Sequence, residues 1–336
     1  MRAIVLCRHA AIEQGPLEFI TLPDPVPSDD QVLIKVSVCG LCHTDLDEIE
    51  GRLRPPELPI VLGHQVVGTV VEKGPGATRF QTGDRVGITW LYSSCGQCAF
   101  CRVGKENLCD HAKSTGLDVN GGYAEYMVVS ERFAHRLPAR FADTHAAPLL
   151  CAGVIGYRAV RVSQITNRQT IGLFGFGGSA HIVIQIVKHL FPDSAVFVFT
   201  RSDAHRQLAK DLGASWAGSP HDAPPAKVQR AIDFTPVGET VPRALCVLDK
   251  GGRLVINAIR KSTMIPPLKY DTHLWHEKEI TSVANVTRKD AEEFLSLAAL
   301  IPIVPDVREF QFSQVSEALT LLKQARLRAA AVLNVQ

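Results

Sequence analysis

The sequence predicts an α/β protein in which the second half of the chain forms a doubly wound parallel sheet. Short apolar segments alternate with helical segments between residues 170 and 257, and a glycine-rich turn joins the first apolar segment to the helix that follows it. This alternation is typical of a parallel sheet, because each strand is joined to the next by a crossover helix. A chain of 336 residues is also long enough for a second domain with its own core.

The elements of this α/β region are expected in a regular order. Strands are predicted at 170–174, 195–200, 231–234 and 252–257, and helices at 181–190, 204–212 and 241–248. Outside the region, the pattern predicts a half-buried strand at 32–38, a helix at 290–300 and a final strand at 330–335.

The glycine-rich turn has the pattern G-x-G-x-x-A. It begins at Gly175 and includes Gly177, Gly178 and Ser179. A strand, a glycine turn and a helix in this order allow a pyrophosphate to sit at the helix N-terminus. We therefore expect a dinucleotide site, and the alternative is a glycine turn that serves packing alone.

Composition and charge exclude several kinds of partner. Lysine and arginine are scattered along a chain of net charge +2, so neither nucleic acid nor a membrane surface is expected to bind. The apolar run at residues 3–7 is too short for a secretory signal, and no run approaches the roughly eighteen apolar residues of a membrane helix. We expect a cytoplasmic protein.

Four of the nine cysteines lie close together, in the segment 93–112. They are Cys95, Cys98, Cys101 and Cys109, with the spacing C-x2-C-x2-C-x7-C. Disulfides are disfavoured in a reducing compartment, so four clustered thiolates predict a closed structural zinc site. An iron–sulfur cluster is the alternative, but a bacterial ferredoxin run has a shorter last gap and a proline where this chain has Asp110.

Two further cysteines and a histidine have a different setting. Cys42 lies in GLCHTD after the predicted strand 32–38, Cys151 opens the probable helix start CAGVIGY, and His64 lies in LGHQVVG. Two cysteines and one histidine would leave the fourth position of a zinc ion free. Each of the three residues is weak support for a metal site when taken alone.

The order and spacing of the motifs carry a resemblance that covers essentially the whole chain. GLCHTD, GHQVVG, the four-cysteine segment, GGYAEY, CAG and GFGG follow one another as in the zinc-dependent alcohol dehydrogenases of the medium-chain dehydrogenase/reductase superfamily. The resemblance implies a GroES-like β-barrel catalytic domain, residues 1–150 and 285–336, around a Rossmann cofactor domain, residues 151–284. It implies an enzyme that interconverts alcohols and aldehydes by hydride transfer with a nicotinamide cofactor.

The resemblance also assigns site residues. It implies two zinc ions per chain, one in the four-cysteine segment and a catalytic one held by Cys42, His64 and Cys151. Asp45 matches the aspartate that orients the histidine ligand. Thr44 matches the hydroxyl that hydrogen-bonds the alcohol, and His43 matches a basic position near the cofactor pyrophosphate.

Three positions depart from the family pattern. Gln65 stands where most members have a glutamate, and Asp47 stands where many have the histidine that ends a proton relay, so that either Asp47 or water accepts the proton. Thr200 falls at the place of the ribose-binding acid, and Arg201 follows it. An arginine without that acid favours NADP, although Asp203 lies close by and leaves NAD possible.

The resemblance places Ile49, Trp90 and Leu91 at the substrate pocket. The indole of Trp90 would narrow the pocket and favour primary alcohols, although an ordinary core tryptophan is equally compatible with the sequence. A homodimer or homotetramer joined through the cofactor domains is expected. The alternatives are a zinc-free quinone or enone reductase of the same superfamily, and a non-enzymatic binding module.

Overall fold

The computed structural model describes residues 1–303, 305–327 and 330–336. The chain forms two compact units, of which the first combines Met1–Cys151 with Asn285–Gln336 and the second is Ala152–Ala284. The first unit is therefore built from both ends of the chain. Cys151, which the sequence places at the start of the cofactor domain, groups with the first unit.

The described residues form β-strands and α-helices in both units. The strands are β1 (Arg2–Leu6), β2 (Leu17–Thr21), β3 (Gln31–Leu41), β4 (Ile60–Val61), β5 (Gln65–Lys73), β6 (Arg85–Ile88), β7 (Leu91–Ser93), β8 (Lys113–Ser114), β9 (Tyr126–Ser130), β10 (Ala134–Arg136), β11 (Ile171–Phe174), β12 (Val196–Phe199), β13 (Trp216–Gly218), β14 (Val228–Asp233), β15 (Leu248–Ile256), β16 (Glu279–Ser282), β17 (Val307–Gln311) and β18 (Ala330–Asn334). The helices are α1 (His43–Ile49), α2 (Ala99–Arg102), α3 (Asp143–Ala146), α4 (Ala152–Ser163), α5 (Ala180–Leu190), α6 (Asp203–Asp211), α7 (Thr240–Val247), α8 (Arg288–Leu300) and α9 (Val315–Lys323). Among the described residues, no helix is both long and apolar enough to span a bilayer.

The long strand β3 organises the first unit. It pairs antiparallel with β5, β9 and β18 in a sheet whose order is β10-β6-β5-β3-β18-β17. The β3–β5 register shifts twice, between Leu33 and Ile34 and between Val36 and Val38, and such irregularities bend a strand. The sequence predicts a half-buried strand here, but most residues of β3 are buried. The burial follows from its central place in the sheet, where it pairs with β5, β9 and β18. The C-terminal β18 lies between β3 and β17 in this sheet and contributes Leu333 to the core of this unit.

The second unit contains a six-stranded sheet in the order β13-β12-β11-β14-β15-β16, and every pairing is parallel. The predicted doubly wound parallel sheet is therefore confirmed. The strand order reverses direction between β11 and β14, which is the position where such sheets bind ligands. The rings of Phe174 and Phe199, from the neighbouring strands β11 and β12, stack at 4.2 Å in the core.

The sequence missed the two outermost strands of this sheet. β13 has three residues and ends at Gly218, and three of the four residues of β16 are exposed. β13 is too short, and β16 is too polar, to show the apolar pattern from which the four inner strands were predicted.

A buried histidine on β10 makes the stability of the first unit sensitive to acid. His135 is 1% exposed, and no group among the described residues bonds to its Nδ1. Burial, together with the charges of Arg79 and Arg288, lowers the pKa of His135 to about 3. Because the unfolded chain takes up this proton near its ordinary pKa of about 6.5, stability is complete above that pH and falls as the pH drops towards 3.

We predict that His135→Leu makes unfolding less dependent on pH. Leucine cannot take up the proton that His135 binds on unfolding. The free energy of unfolding should therefore change less steeply with pH below 6.5, by up to about 1.4 kcal/mol per pH unit. Urea unfolding at several pH values between 7 and 4 measures this slope, with His189→Leu on the exposed end of α5 as control. An unchanged slope in His135→Leu would show that this histidine is not the acid-sensitive group.

Candidate active site

Three side chains that are far apart in the sequence meet in the first unit. One ligand atom each from Cys42, His64 and Cys151 lies within 4.8 Å of the others. The Sγ atom of Cys42 is 3.4 Å from Nε2 of His64. Two sulfurs and one imidazole nitrogen at this separation can bind a single metal ion and leave a position open for a small molecule.

The start of α1 fixes the first cysteine. Cys42 follows β3 directly and is the N-cap of α1, where its Sγ accepts a hydrogen bond from the backbone N–H of Thr44 at 3.3 Å. The carboxylate of Asp45 accepts one from the backbone N–H of Cys42 at 2.7 Å. This capping box locks the thiol and the carboxylate together, and a helix N-terminus favours the thiolate form of cysteine.

A glycine places the histidine. Gly63 has a φ of +93°, and a Cβ atom there would lie 2.5 Å from the ring of Tyr123 and 2.8 Å from the sulfur of Cys39. Only glycine fits this close approach, which brings His64 into the buried cluster. Nδ1 of His64 is 3.5 Å from Oδ1 of Asp45, so the carboxylate faces one ring nitrogen and leaves Nε2 for a metal.

The electrostatics of the cluster are those of a cation site. The hydrogen bond with Cys151 lowers the pKa of Cys42 well below its ordinary value and raises that of Cys151. Burial alone would lower the pKa of His64, but the charges of Cys42 and Asp45 outweigh it and raise this pKa. The raised pKa of His64 means that the thiolate and the carboxylate attract positive charge to this point, and zinc suits the sulfur and nitrogen donors.

The structure adds a residue that the sequence did not single out. Glu48, on the inner side of α1, is fully buried, and neither of its carboxyl oxygens has a hydrogen-bond partner among the described residues. Burial, followed by the charge of Asp45, raises the pKa of Glu48 well above its ordinary value. Its position between the buried Leu46 and Ile49 was the available signal, since a charged residue rarely occupies an inward position of a helix.

The four-cysteine segment forms a second cluster of ligand atoms. The sulfurs of Cys95, Cys98, Cys101 and Cys109 lie within 4.8 Å of one another. Gly96 and Gly104 have φ values of +72° and +70° and make the turns between them. Backbone N–H groups of Gln97 and Cys98 lower the pKa of Cys95 to about 6. Four convergent sulfurs match a closed structural site without an open position.

The other site residues that the sequence predicts in the first unit do not all lie beside the cluster. The ring centroid of Trp90 lies 6.2 Å from that of His64, so Trp90 borders the cluster of Cys42, His64 and Cys151. Ile49 and Leu91 are buried in the hydrophobic core, and their role as pocket-lining side chains stays a prediction. Asp47 is also buried, and its Oδ1 accepts a hydrogen bond from Nε of Arg52 at 2.5 Å.

The remaining predicted positions of the first unit are His43, Thr44 and Gln65. Thr44 is partly buried at the start of α1, and the neighbouring His43 is exposed. Gln65 is 4% exposed and packs so closely on β3 that a Cβ at Gly40 would lie 2.7 Å from its Oε1. The amide is thus held by the strand beside His64.

The glycine turn lies in the second unit, between β11 and α5. Gly175 has a φ of +83°, and among the described residues no atom lies within 4 Å of a Cβ built at Gly177 or Gly178. Ser179 occupies the N-cap of α5, but its side chain makes no capping bond there. The turn therefore offers open space beside Gly177 and Gly178 and a helix N-terminus without a side-chain cap, as a pyrophosphate site requires.

The end of β12 carries the residues predicted to select the cofactor. Thr200 is 6% exposed, and its backbone carbonyl accepts a hydrogen bond from Arg206 at 2.7 Å. Arg201 is exposed, whereas Asp203 forms an ion pair with Arg206. The nearby carboxylate thus forms an exposed ion pair with an arginine of the same helix.

Comparison with known proteins agrees with this arrangement. The alcohol dehydrogenase GroES-like domain family matches residues 28–139. A protein of Mycobacterium tuberculosis named "Probable alcohol dehydrogenase AdhA" is 43% identical over 340 residues, covering 100% of this chain and 97% of that protein. An alcohol dehydrogenase of Geobacillus stearothermophilus is 33% identical, covering 95% of this chain and 96% of its own length.

The chain belongs to the medium-chain alcohol dehydrogenase superfamily. The solved structure of a cinnamyl alcohol dehydrogenase from Sorghum bicolor is similar, with a TM-score of 0.87, 28% identity, and coverage of 99% of this chain and 97% of that one. The predicted fold class, a GroES-like domain and a Rossmann domain, is confirmed for this superfamily member.

We predict that Asp45→Asn weakens metal binding at the site of Cys42, His64 and Cys151 by about 10- to 100-fold. The amide still accepts the bond from the backbone of Cys42, but it loses the charge that orients the dehydrogenase's histidine. Competition with a chromophoric chelator measures the affinity, and the four-cysteine site serves as an internal standard.

Asp47→Asn is the matched control, because Asp47 lies on the same helix and its carboxylate pairs with Arg52. Equal metal affinity in wild type and Asp45→Asn would contradict the orienting role.

Proposed function

We propose that this superfamily member is a zinc-dependent alcohol dehydrogenase that interconverts primary alcohols and aldehydes with NADP. The convergence of Cys42, His64 and Cys151 carries the proposal, because an open three-ligand set is of use to a catalytic metal and not to a structural one. Membership of the superfamily supports alcohol oxidation and aldehyde reduction as the reaction class.

A zinc ion held by these three side chains supplies a Lewis acid that polarises an alcohol or carbonyl oxygen. The protein groups around it prepare the site. The capping box of α1 keeps Cys42 in place, and Asp45 keeps Nε2 of His64 directed towards the cluster. Thr44 lies at the same helix start, where its hydroxyl is proposed to hydrogen-bond the substrate hydroxyl.

The proton that leaves the alcohol needs an acceptor. Asp47 is buried, and its Oδ1 is engaged by Nε of Arg52 at 2.5 Å. We therefore assign this step to water, reached through the hydroxyl of Thr44.

The preference for NADP rests on the end of β12. Arg201 is exposed and has no ion-pair partner among the described residues, so its guanidinium is available for a 2′-phosphate. Thr200 stands where an acid would hold a ribose hydroxyl, and the carboxylate of Asp203 forms an ion pair with Arg206. Gly177, Gly178 and the N-terminus of α5 are proposed to receive the pyrophosphate.

Trp90 supports primary over bulky secondary substrates. Its indole borders His64, and a large planar group at that distance limits the size of the carbon substituents beside the metal. The two clusters of ligand atoms also argue against the alternatives, because neither a zinc-free reductase nor a binding module needs them.

We also propose a homo-oligomeric state and a cytoplasmic location for the protein. The edge strand β16 is mostly exposed, which supports a homodimer or homotetramer joined through the second units. All nine cysteines lie in the described ranges and each is free, which supports a reducing, cytoplasmic environment.

The function is tested with a panel of primary and secondary alcohols and their aldehydes, each assayed with NADP(H) and NAD(H). We expect the highest kcat/KM for primary substrates with NADP(H). Arg201→Ala should lower kcat/KM with NADP(H) and leave the value with NAD(H) nearly unchanged.

Cys42→Ser is the control in the same panel, and it should lose turnover while keeping the metal of the four-cysteine segment. Retained alcohol oxidation in Cys42→Ser would exclude the proposed catalytic site. A strong preference for NAD(H) would refute the assignment of Arg201.

A further inference from the structure

A buried ion pair lies at the switch point of the second unit. β11 and β14 are neighbours in the sheet, and their carboxyl ends flank the crevice where parallel sheets of this order bind ligands. The glycine turn follows β11, and the segment 234–240 follows β14. The two meet closely, because a Cβ at Gly175 would lie 3.0 Å from the methyl group of Thr235.

Asp233 ends β14 and is fully buried. Its carboxylate accepts hydrogen bonds from the backbone N–H of Thr235 at 2.9 Å, from its hydroxyl at 2.7 Å and from the hydroxyl of Thr240 at 2.9 Å. Nζ of Lys261 donates to the same carboxylate at 2.6 Å. The carboxylate is therefore fully hydrogen-bonded inside the protein.

Lys261 joins two segments that carry no regular structure. It lies in the segment 257–263 after β15 and also donates to the backbone carbonyl of Thr235 at 2.7 Å. Two further bonds reinforce this link, from the backbone N–H of Ser262 to the carbonyl of Pro236 at 2.6 Å and from that of Gly238 to the hydroxyl of Thr263 at 2.8 Å. The segment beside the glycine turn is thus held from two sides.

The physical chemistry of such a pair argues for a positional role. Removing two charges from water costs as much free energy as their attraction returns, so an apolar pair of the same size would stabilise the fold equally well. A charged pair with four further hydrogen bonds fixes the orientation of the groups that it binds, which an apolar pair cannot do.

We propose that the Lys261–Asp233 ion pair positions residues 234–240 beside the glycine turn and so preorganises the dinucleotide crevice. The inference rests on the proposed function of that turn as the NADP site. Lys261 and Asp233 are positioning residues, since they act through Thr235 and not by reaction with the substrate.

The test measures the dissociation constants of NADPH and NADH for the zinc-loaded enzyme by titration calorimetry, together with the thermal midpoint of each variant. Lys261→Met should raise both dissociation constants about tenfold. Arg253→Met is the matched control, because Arg253 pairs with Glu279 between β15 and β16 in the same sheet, away from the carboxyl ends. It should change both constants by less than about twofold.

The double variant Asp233→Asn with Lys261→Met separates positioning from stability. It removes the unpaired buried charge and should recover the thermal midpoint, but it still lacks the bond from Lys261 to the carbonyl of Thr235. We expect binding to remain weak in the double variant. Recovery of binding together with stability would overturn the inference.

Two other outcomes are distinguishable. Normal dinucleotide binding in Lys261→Met also overturns the inference and leaves the proposed function intact. A wild-type enzyme that binds neither dinucleotide refutes the proposed function, and the inference with it.

Discussion

Buried negative charge at the end of β3 is the constraint on which the rest of the structure depends. The thiol of Cys42 and the carboxylate of Asp45 are held by one helix start. Burial of uncompensated charge costs several kcal/mol, on the order of the whole stability of a protein, so these groups must meet a positive charge or take up a proton. His64, whose pKa these charges raise, and Cys151 complete a set of ligand atoms at this point.

Both sites of the protein lie where strands end. Cys42 follows β3, the glycine turn follows β11, and Asp233 closes β14. A strand end is a rigid origin for an irregular segment, so the first turn after it places side chains more reproducibly than a long loop does. In the first unit this geometry brings together the ligand atoms of Cys42, His64 and Cys151, and in the second it places the buried Lys261–Asp233 pair close to the glycine turn.

Sequence patterns predicted the features that are local in the chain. Short apolar runs predicted the four inner strands of the parallel sheet, and the spacing of the glycines predicted the turn. The spacing of the cysteines predicted the cluster in the four-cysteine segment. The pairings Asp47–Arg52 and Lys261–Asp233 could not be predicted in this way, because nothing in a local pattern indicates which charge a buried carboxylate will meet. The edge strand β16 was missed for a related reason, since its residues are exposed and carry no apolar periodicity.

The central claim is that Cys42, His64 and Cys151 bind one metal ion, and anomalous diffraction at the zinc absorption edge tests it most directly. Crystals of the zinc-loaded enzyme should show one peak in the four-cysteine segment and a second peak about 2.3 Å from both sulfurs and about 2.1 Å from Nε2 of His64. A single peak in the cysteine segment, from crystals of enzyme that still oxidises alcohols, would contradict the account.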